Sequence, residues 1–174
     1  MKWIAPPGKR RGSADWLELI FKDHGFLRFY WHNQHLVADG LWRSNQPGPM
    51  RIAALAKTGI KTIVNLRGPR ADGSWQLEAE ACAKAGITLL DFTARSRAAP
   101  SKEMLYDARD LFAALETPTL IHCKSGADRA GLMSALYLII AKAVSYTHLR
   151  AHETREELGC RRRREKKKGG GVGG

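Results

Sequence analysis

Apolar and polar residues along this chain alternate with two different periods, near two and near 3.6, and each change of period marks an element. His35 to Arg43 (HLVADGLWR) holds two short β-like runs about Asp39-Gly40, a hairpin or bend signal. Ser44-Asn45-Gln46-Pro47 then turns the chain. Pro49 to Thr58 reads as a helix with Gly59 as its stop. Lys61 to Leu66 (KTIVNL) is apolar enough for a buried strand, and Arg67-Gly68-Pro69 leaves it as a loop. Trp75 to Ala85 is a second helix, stopped by Gly86, and Ile87 to Phe92 a further strand. After the loop Thr93 to Pro100, Ser101 caps a helix reaching about Glu116, and Pro118 closes it. Thr119 to His122 is another strand, and helical spacing resumes from Leu132 to Ala141.

Strands alternating with helices predict an α/β fold: a mostly parallel central sheet flanked by helices on both faces. Ligands of such sheets sit at the carboxyl ends of the strands. Upstream, Ala14 to His32 is rich in Trp, Phe and Leu and fits an amphipathic helix broken near Asp23-His24-Gly25. The expected organisation is a flexible basic arm over residues 1–13, a helical leader over 14–35, the main domain over 36–143 and a tail over 144–174.

Candidate chemistry concentrates in His122 to Gly131, HCKSGADRAG, between a strand and a helix. That arrangement aims backbone N–H groups and a positive helix end at a bound anion. Cys123 would lie at the floor of the cradle, in the kind of setting that lowers a cysteine pKa from about 8.5 to roughly 3.5–7.5. Its thiolate could then attack phosphorus and form a covalent intermediate. Arg129 can fork two phosphate oxygens and stabilise the charge of the transition state. Gly126 allows a sharp turn close to the anion, and Lys124, Ser125, Gly126 and Ala127 together make the substrate-binding loop. A buried cysteine in a strand–helix turn is the competing, purely structural account.

The string resembles the signature of the protein tyrosine phosphatase superfamily, His-Cys-(x)5-Arg, at His122, Cys123, Gly126 and Arg129. The similarity spans about residues 36–141 and implies the Cys-dependent phosphatase fold, with Cys123 as nucleophile and Arg129 as clamp. It also implies that His122 shapes the loop rather than taking a proton. Arg43, Ser44, Gln46 and Pro47 are similar to an Arg-Ser-x-Gln-Pro segment of bacterial dual-specificity-like members.

Two positions depart from that pattern. Ala130 stands where the family usually has a Ser or Thr that helps the thiolate leave, which implies slow breakdown of the phospho-enzyme. The loop TARSRAAP lacks the general-acid Asp that many members carry there. Asp128, just before the signature Arg, and Asp91, 32 residues before Cys123, are the candidate replacements, Asp91 being expected within its strand. Lys124 is similar to a residue of phosphoinositide-directed members; a solvated cation at the rim is the alternative. Arg95 and Arg97 admit the same two readings. The function expected is phosphomonoester hydrolysis through a phospho-cysteine, without metal or cofactor. The alternatives are a phosphoinositide phosphatase and a non-catalytic phosphate-binding pseudophosphatase.

Charge changes the picture less than its size suggests. The net charge of +12 divides into +7 for residues 1–143 and +5 for residues 144–174. Val144 to Thr154, VSYTHLRAHET, resembles the in-frame translation of a sequencing-library transposon adapter. Leu158 to Lys166 resembles that adapter's continuation after single T-to-G changes, and the remaining Lys and Gly fit poly-A and poly-G runs. Residues 144–174 are therefore read as a non-native, disordered tail behind a C-terminally truncated domain. The basic tail then argues for no nucleic-acid partner, and Cys160 leaves the cysteine count. Cys82 and Cys123 remain, without metal-ligand spacing, which suits a reducing compartment. Cys82 reads as packing on its helix. No apolar run approaches the roughly 18 residues of a membrane span, and the N-terminus lacks a signal-type apolar core. The expectation is a cytoplasmic enzyme acting on a phosphorylated protein or a phosphoinositide, with no stable membrane insertion; the oligomeric state is left open.

Overall fold

A computed structural model of the chain describes residues 3–6, 12–22, 30–95 and 99–140. Five strands form one sheet in the order β1-β2-β5-β3-β4. They are β1 (His35–Ala38), β2 (Leu41–Asn45), β3 (Thr62–Asn65), β4 (Thr88–Asp91) and β5 (Thr119–Cys123). β1 and β2 form the expected hairpin, with Gly40 at φ +71° in its turn. Every other pairing is parallel, so the expected α/β architecture with a mostly parallel sheet is the observed one.

Helices α2 (Pro49–Lys57), α3 (Gly73–Ala85) and α4 (Lys102–Ala113) fall where the 3.6-residue period places them. Their ends follow from local chemistry. Asp72 caps α3 by accepting the Trp75 N–H at 2.9 Å, and Gly86 ends it with a left-handed residue. Ser101 caps α4 through the Met104 N–H, but that helix stops at Ala113, short of the expected Glu116. A last helix, α5, covers residues 128–140 of those described and starts earlier than the apolar spacing from Leu132 suggested. The chain divides into two compact units, Met1–Tyr137 and Leu138–Gly174. The described residues of the second are 138–140, all helical.

Side chains on adjacent strand positions point to opposite faces, and both faces are covered. Ile63, Leu89 and Leu120 pack with Ile52 and Leu55 of α2 and Trp75, Ala79 and Cys82 of α3. The alternate positions Val64, Leu90 and Ile121 are buried on the other face. There Ala108, Leu111 and Phe112 of α4 and Met133 of α5 lose their exposure, and Phe112 meets Tyr137 edge to face at 5.2 Å.

The N-terminal stretches pack on this frame. In the leader, α1 (Ser13–Leu17) is followed by one π-type turn, Glu18–Lys22, where a single longer helix was expected. Glu18 accepts the Gly73 N–H at 2.9 Å and so satisfies a free donor at the start of α3. The expected break at residues 23–25 lies outside the described residues, as does most of the arm. Within that arm, however, Ile4 pairs antiparallel with Leu90, and the Asp91 N–H donates to the Trp3 carbonyl at 2.8 Å. β4 is an edge strand whose outer N–H and C=O groups need partners, and residues 3–6 supply them.

Candidate active site

The parallel register aligns four strand ends. Asn45 stands opposite Cys123, Asn65 opposite His122, and Asn65 again opposite Asp91. Cys123 is the last residue of the central strand, one position further along it than the hydropathy pattern indicated. Its side chain is buried at the carboxyl edge of the sheet.

The loop over residues 124–127 is held from outside. The Lys124 carbonyl accepts from the Gln46 N–H at 3.5 Å and the Ser125 carbonyl from Asn33 Nδ2 at 2.8 Å. The Gly126 carbonyl accepts from the Arg43 guanidinium at 3.5 Å, and the Ala127 carbonyl from the Gly131 N–H at 2.6 Å. A trans peptide sets each N–H opposite the preceding C=O. The Ala127 bond runs along α5, whereas the tethers on the carbonyls of residues 124–126 turn the N–H groups of residues 125–127 away from Gln46, Asn33 and Arg43. The Gly126 N–H shows the result, donating to Cys123 Sγ at 3.2 Å.

Gly126 adopts φ +78°, and a Cβ there would lie 2.6 Å from the Asn45 nitrogen and 2.8 Å from the Ser44 carbonyl oxygen. Backbone atoms of β2 cannot give way as a flexible side chain can. Gly126→Ala is therefore expected to destabilise the domain by about 3 kcal/mol, from left-handed strain and overpacking together. Thermal unfolding checks it; an unchanged melting midpoint would mean that the loop does not press on β2 as described.

The remaining loop residues take distinct places. Lys124, Ser125, Ala127 and Asp128 are exposed, Arg129 is half-buried in the first turn of α5, and Ala130 is fully buried. Asp91 lies at the end of β4, inside the strand as expected. Its Oδ1 accepts from Asn65 Nδ2 at 2.7 Å, and both its oxygens receive the Trp75 indole N–H, at 3.1 and 3.0 Å. Burial pushes its carboxyl above the usual range, the two donors pull it back, and the nearby Glu78 adds to the rise. A cleft of about 490 Å³ opens beside it, lined by Phe92, Thr93, Arg95, Met104 and Leu132 among others. Arg97 lies outside the described residues.

Beneath the loop, His122 and Glu78 are both fully buried, with Nε2 and Oε1 2.6 Å apart. Glu78 Oε2 accepts from Gln46 Nε2 at 2.7 Å, and Gln46 Oε1 accepts from Arg67. Glu78 and Arg67 went unnoticed in the sequence. The signal was present for Glu78: with Trp75, Ala79 and Cys82 it occupies one stripe of α3, so a carboxylate lies on a buried face. Cys82 is buried in the core, and burial, with Glu78 and Asp91 nearby, pushes its thiol far up. That makes it packing, as expected, rather than a nucleophile. Among the described residues no group of three His, Cys, Asp or Glu is placed to hold a metal ion.

A buried cysteine ends the central strand, one loop N–H points at its sulfur, and an arginine stands in the first turn of the following helix. A family model described as DSP-PTPase phosphatase fused to NAD+ kinase matches residues 32–169. The chain belongs to the DSP-PTPase phosphatase family. The matched span begins within the leader and runs across much of the stretch that resembles a translated adapter. The dual specificity protein phosphatase TpbA of Pseudomonas aeruginosa is 30% identical over 111 residues, 63% of this chain and 48% of that protein. The chain thus spans about half the length of the curated relatives it matches. The crystal structure of P. aeruginosa TpbA superposes with a TM-score of 0.50 at 30% identity, covering 64% of this chain and 65% of that one. The core catalytic domain of the PP-IP phosphatase SIW14 from S. cerevisiae shares the fold, with a TM-score of 0.52 at 24% identity over 60% of this chain and 63% of that one.

Proposed function

We propose that this domain of the DSP-PTPase family hydrolyses phosphomonoesters through a phospho-cysteine intermediate on Cys123. The sulfur attacks phosphorus as the bond to the leaving oxygen breaks, and Asp128 gives that oxygen its proton. Water then attacks phosphorus while giving a proton to the Asp128 carboxylate, the S–P bond breaks with its electrons returning to sulfur, and phosphate departs. Arg129 and the N–H groups of residues 125–127 hold the equatorial oxygens. The chemistry asks for no metal or cofactor, because the loop and Arg129 supply the positive charge. The observation that carries the reading is the Gly126 N–H on Cys123 Sγ at 3.2 Å, within a loop whose carbonyls are tied outward.

A phosphorylated protein is the substrate class proposed, in line with the name of the P. aeruginosa relative. Lys124, exposed beside the cradle, supports a phosphoinositide as the second reading, since it offers charge to a polyanionic head group. Turnover of an aryl phosphate in excess chelator tests the activity, and silence there with tight phosphate binding would favour a pseudophosphatase. Phosphopeptides against phosphoinositides then separate the two substrate classes.

The cytoplasm is the compartment proposed. Cys82 and Cys123 are free thiols, and no described helix is long and apolar enough to cross a membrane. Recovery in a membrane fraction would contradict it. Residues 144–174 are proposed to be foreign to the domain, on their resemblance to adapter sequence. Genomic sequencing beyond codon 143 decides this: the same continuation would refute it.

A further inference from the structure

Glu78 lies on the apolar stripe of α3, and its side chain has no exposure to solvent. An ionised carboxylate is tolerated there only when its oxygens are paired. Oε2 has the Gln46 amide at 2.7 Å. Oε1 and His122 Nε2 lie 2.6 Å apart as a buried ion-pair contact, and neither has a hydrogen-bond partner among the described residues. The carboxylate therefore fixes the Nε2 edge of the ring and sets its plane.

The other ring nitrogen, Nδ1, faces the carbonyl oxygen of Cys123 at 3.4 Å. A chain of polar side chains from three elements thus leads to the residue before the nucleophile: Arg67, just past β3, donates to Gln46, just past β2, which donates to Glu78 of α3 beside His122. A well-packed apolar side chain would fill this stripe without the cost of a buried charge. We propose that Glu78 is a positioning residue for the catalytic loop: it holds the His122 ring, and through it the Cys123 peptide and the approach of the sulfur to phosphorus. The inference rests on the phosphatase reading above.

The test uses the full chain with Glu78→Gln, His122→Asn and the double variant. An amide at 78 cannot accept from both Gln46 and His122, so the ring loses its fixed partner. Glu78→Gln is expected to lower kcat for an aryl phosphate by about ten- to a hundredfold, as small misplacements of reacting groups do. KM should stay within about threefold, and the melting midpoint within a few degrees. Alkylation of Cys123 by iodoacetamide at one fixed pH, resolved from Cys82 and Cys160 by peptide mass spectrometry, should slow in parallel. In the His122→Asn background Glu78→Gln should cost nothing further in kcat, because it acts through that ring.

Wild-type kcat and alkylation in Glu78→Gln, or independent losses that multiply in the double variant, would overturn the proposal. If Glu78→Gln does not fold, Glu78→Asp decides, since it keeps the carboxylate and withdraws it from His122 by one methylene. It should lower kcat and alkylation severalfold, and unchanged kcat and alkylation would overturn the proposal. A wild-type chain without turnover would fail the phosphatase reading instead, and the alkylation arm would still test Glu78.

Discussion

Replacing Cys123 by serine is expected to lower aryl phosphate turnover by roughly 10³-fold or more while leaving phosphate-analogue binding nearly intact. Serine offers a hydroxyl where the reaction needs an ionised nucleophile, and the neighbouring His122 is buried against Glu78. Binding is a separate matter. The cradle is backbone, its carbonyls tied to Gln46, Asn33, Arg43 and Gly131, and none of those tethers involves the sulfur. Tungstate titration by calorimetry, beside steady-state rates, separates the two effects. A serine variant keeping more than about a few per cent of wild-type turnover would exclude covalent catalysis by Cys123.

The second large effect assigns the acid. A proton donor to the leaving oxygen is worth typically about 10²–10⁴ in rate, and it matters most when that oxygen leaves poorly. Asp128 is exposed at the start of α5, directly after the loop over residues 124–127. Asp91 has a raised pKa, which suits an acid, but Trp75 and Asn65 occupy its carboxylate within the strand edge. Geometry outranks pKa here, because a proton must first be within reach. Asp128→Asn should therefore slow an alkyl phosphate by about 10²–10⁴ and an activated aryl phosphate far less. Asp91→Asn should slow both substrates little, or alike through lost stability. The reverse pattern would move the acid to β4.

What was legible in the sequence was local. Gly86, Ser101 and Gly59 punctuate the chain by backbone chemistry that needs no partner far away, so the strands and helices fell close to their observed places. Cys123 to Arg129 is likewise contiguous and could be read as one loop. Glu78 and Arg67 were not legible as a pair with His122, because only the sheet register and the face of α3 bring them together. The similarity of Arg43, Ser44 and Gln46 to a bacterial segment gains a physical reason in the same way. Arg43 ties the Gly126 carbonyl, Ser44 supplies the backbone against which Gly126 packs, and Gln46 joins the Lys124 carbonyl to Glu78. Residues 3–6 were missed for another reason. Their pairing with β4 uses backbone groups, which leave no pattern in the side chains.

Ala130 makes the central claim directly measurable. It is fully buried, and it puts a methyl group where the resemblance to the superfamily implies a hydroxyl that helps the thiolate leave. If phosphorylation of Cys123 outruns its hydrolysis, the phospho-enzyme accumulates. Rapid acid quenching of the chain with an aryl phosphate, followed by peptide mass spectrometry, reads this out. The expected result is a stoichiometric burst of the aryl alcohol and a phosphoryl group on the Cys123 peptide, absent from Cys123→Ser. Steady turnover with no burst and Cys123 unmodified at every time point would contradict the phospho-cysteine mechanism.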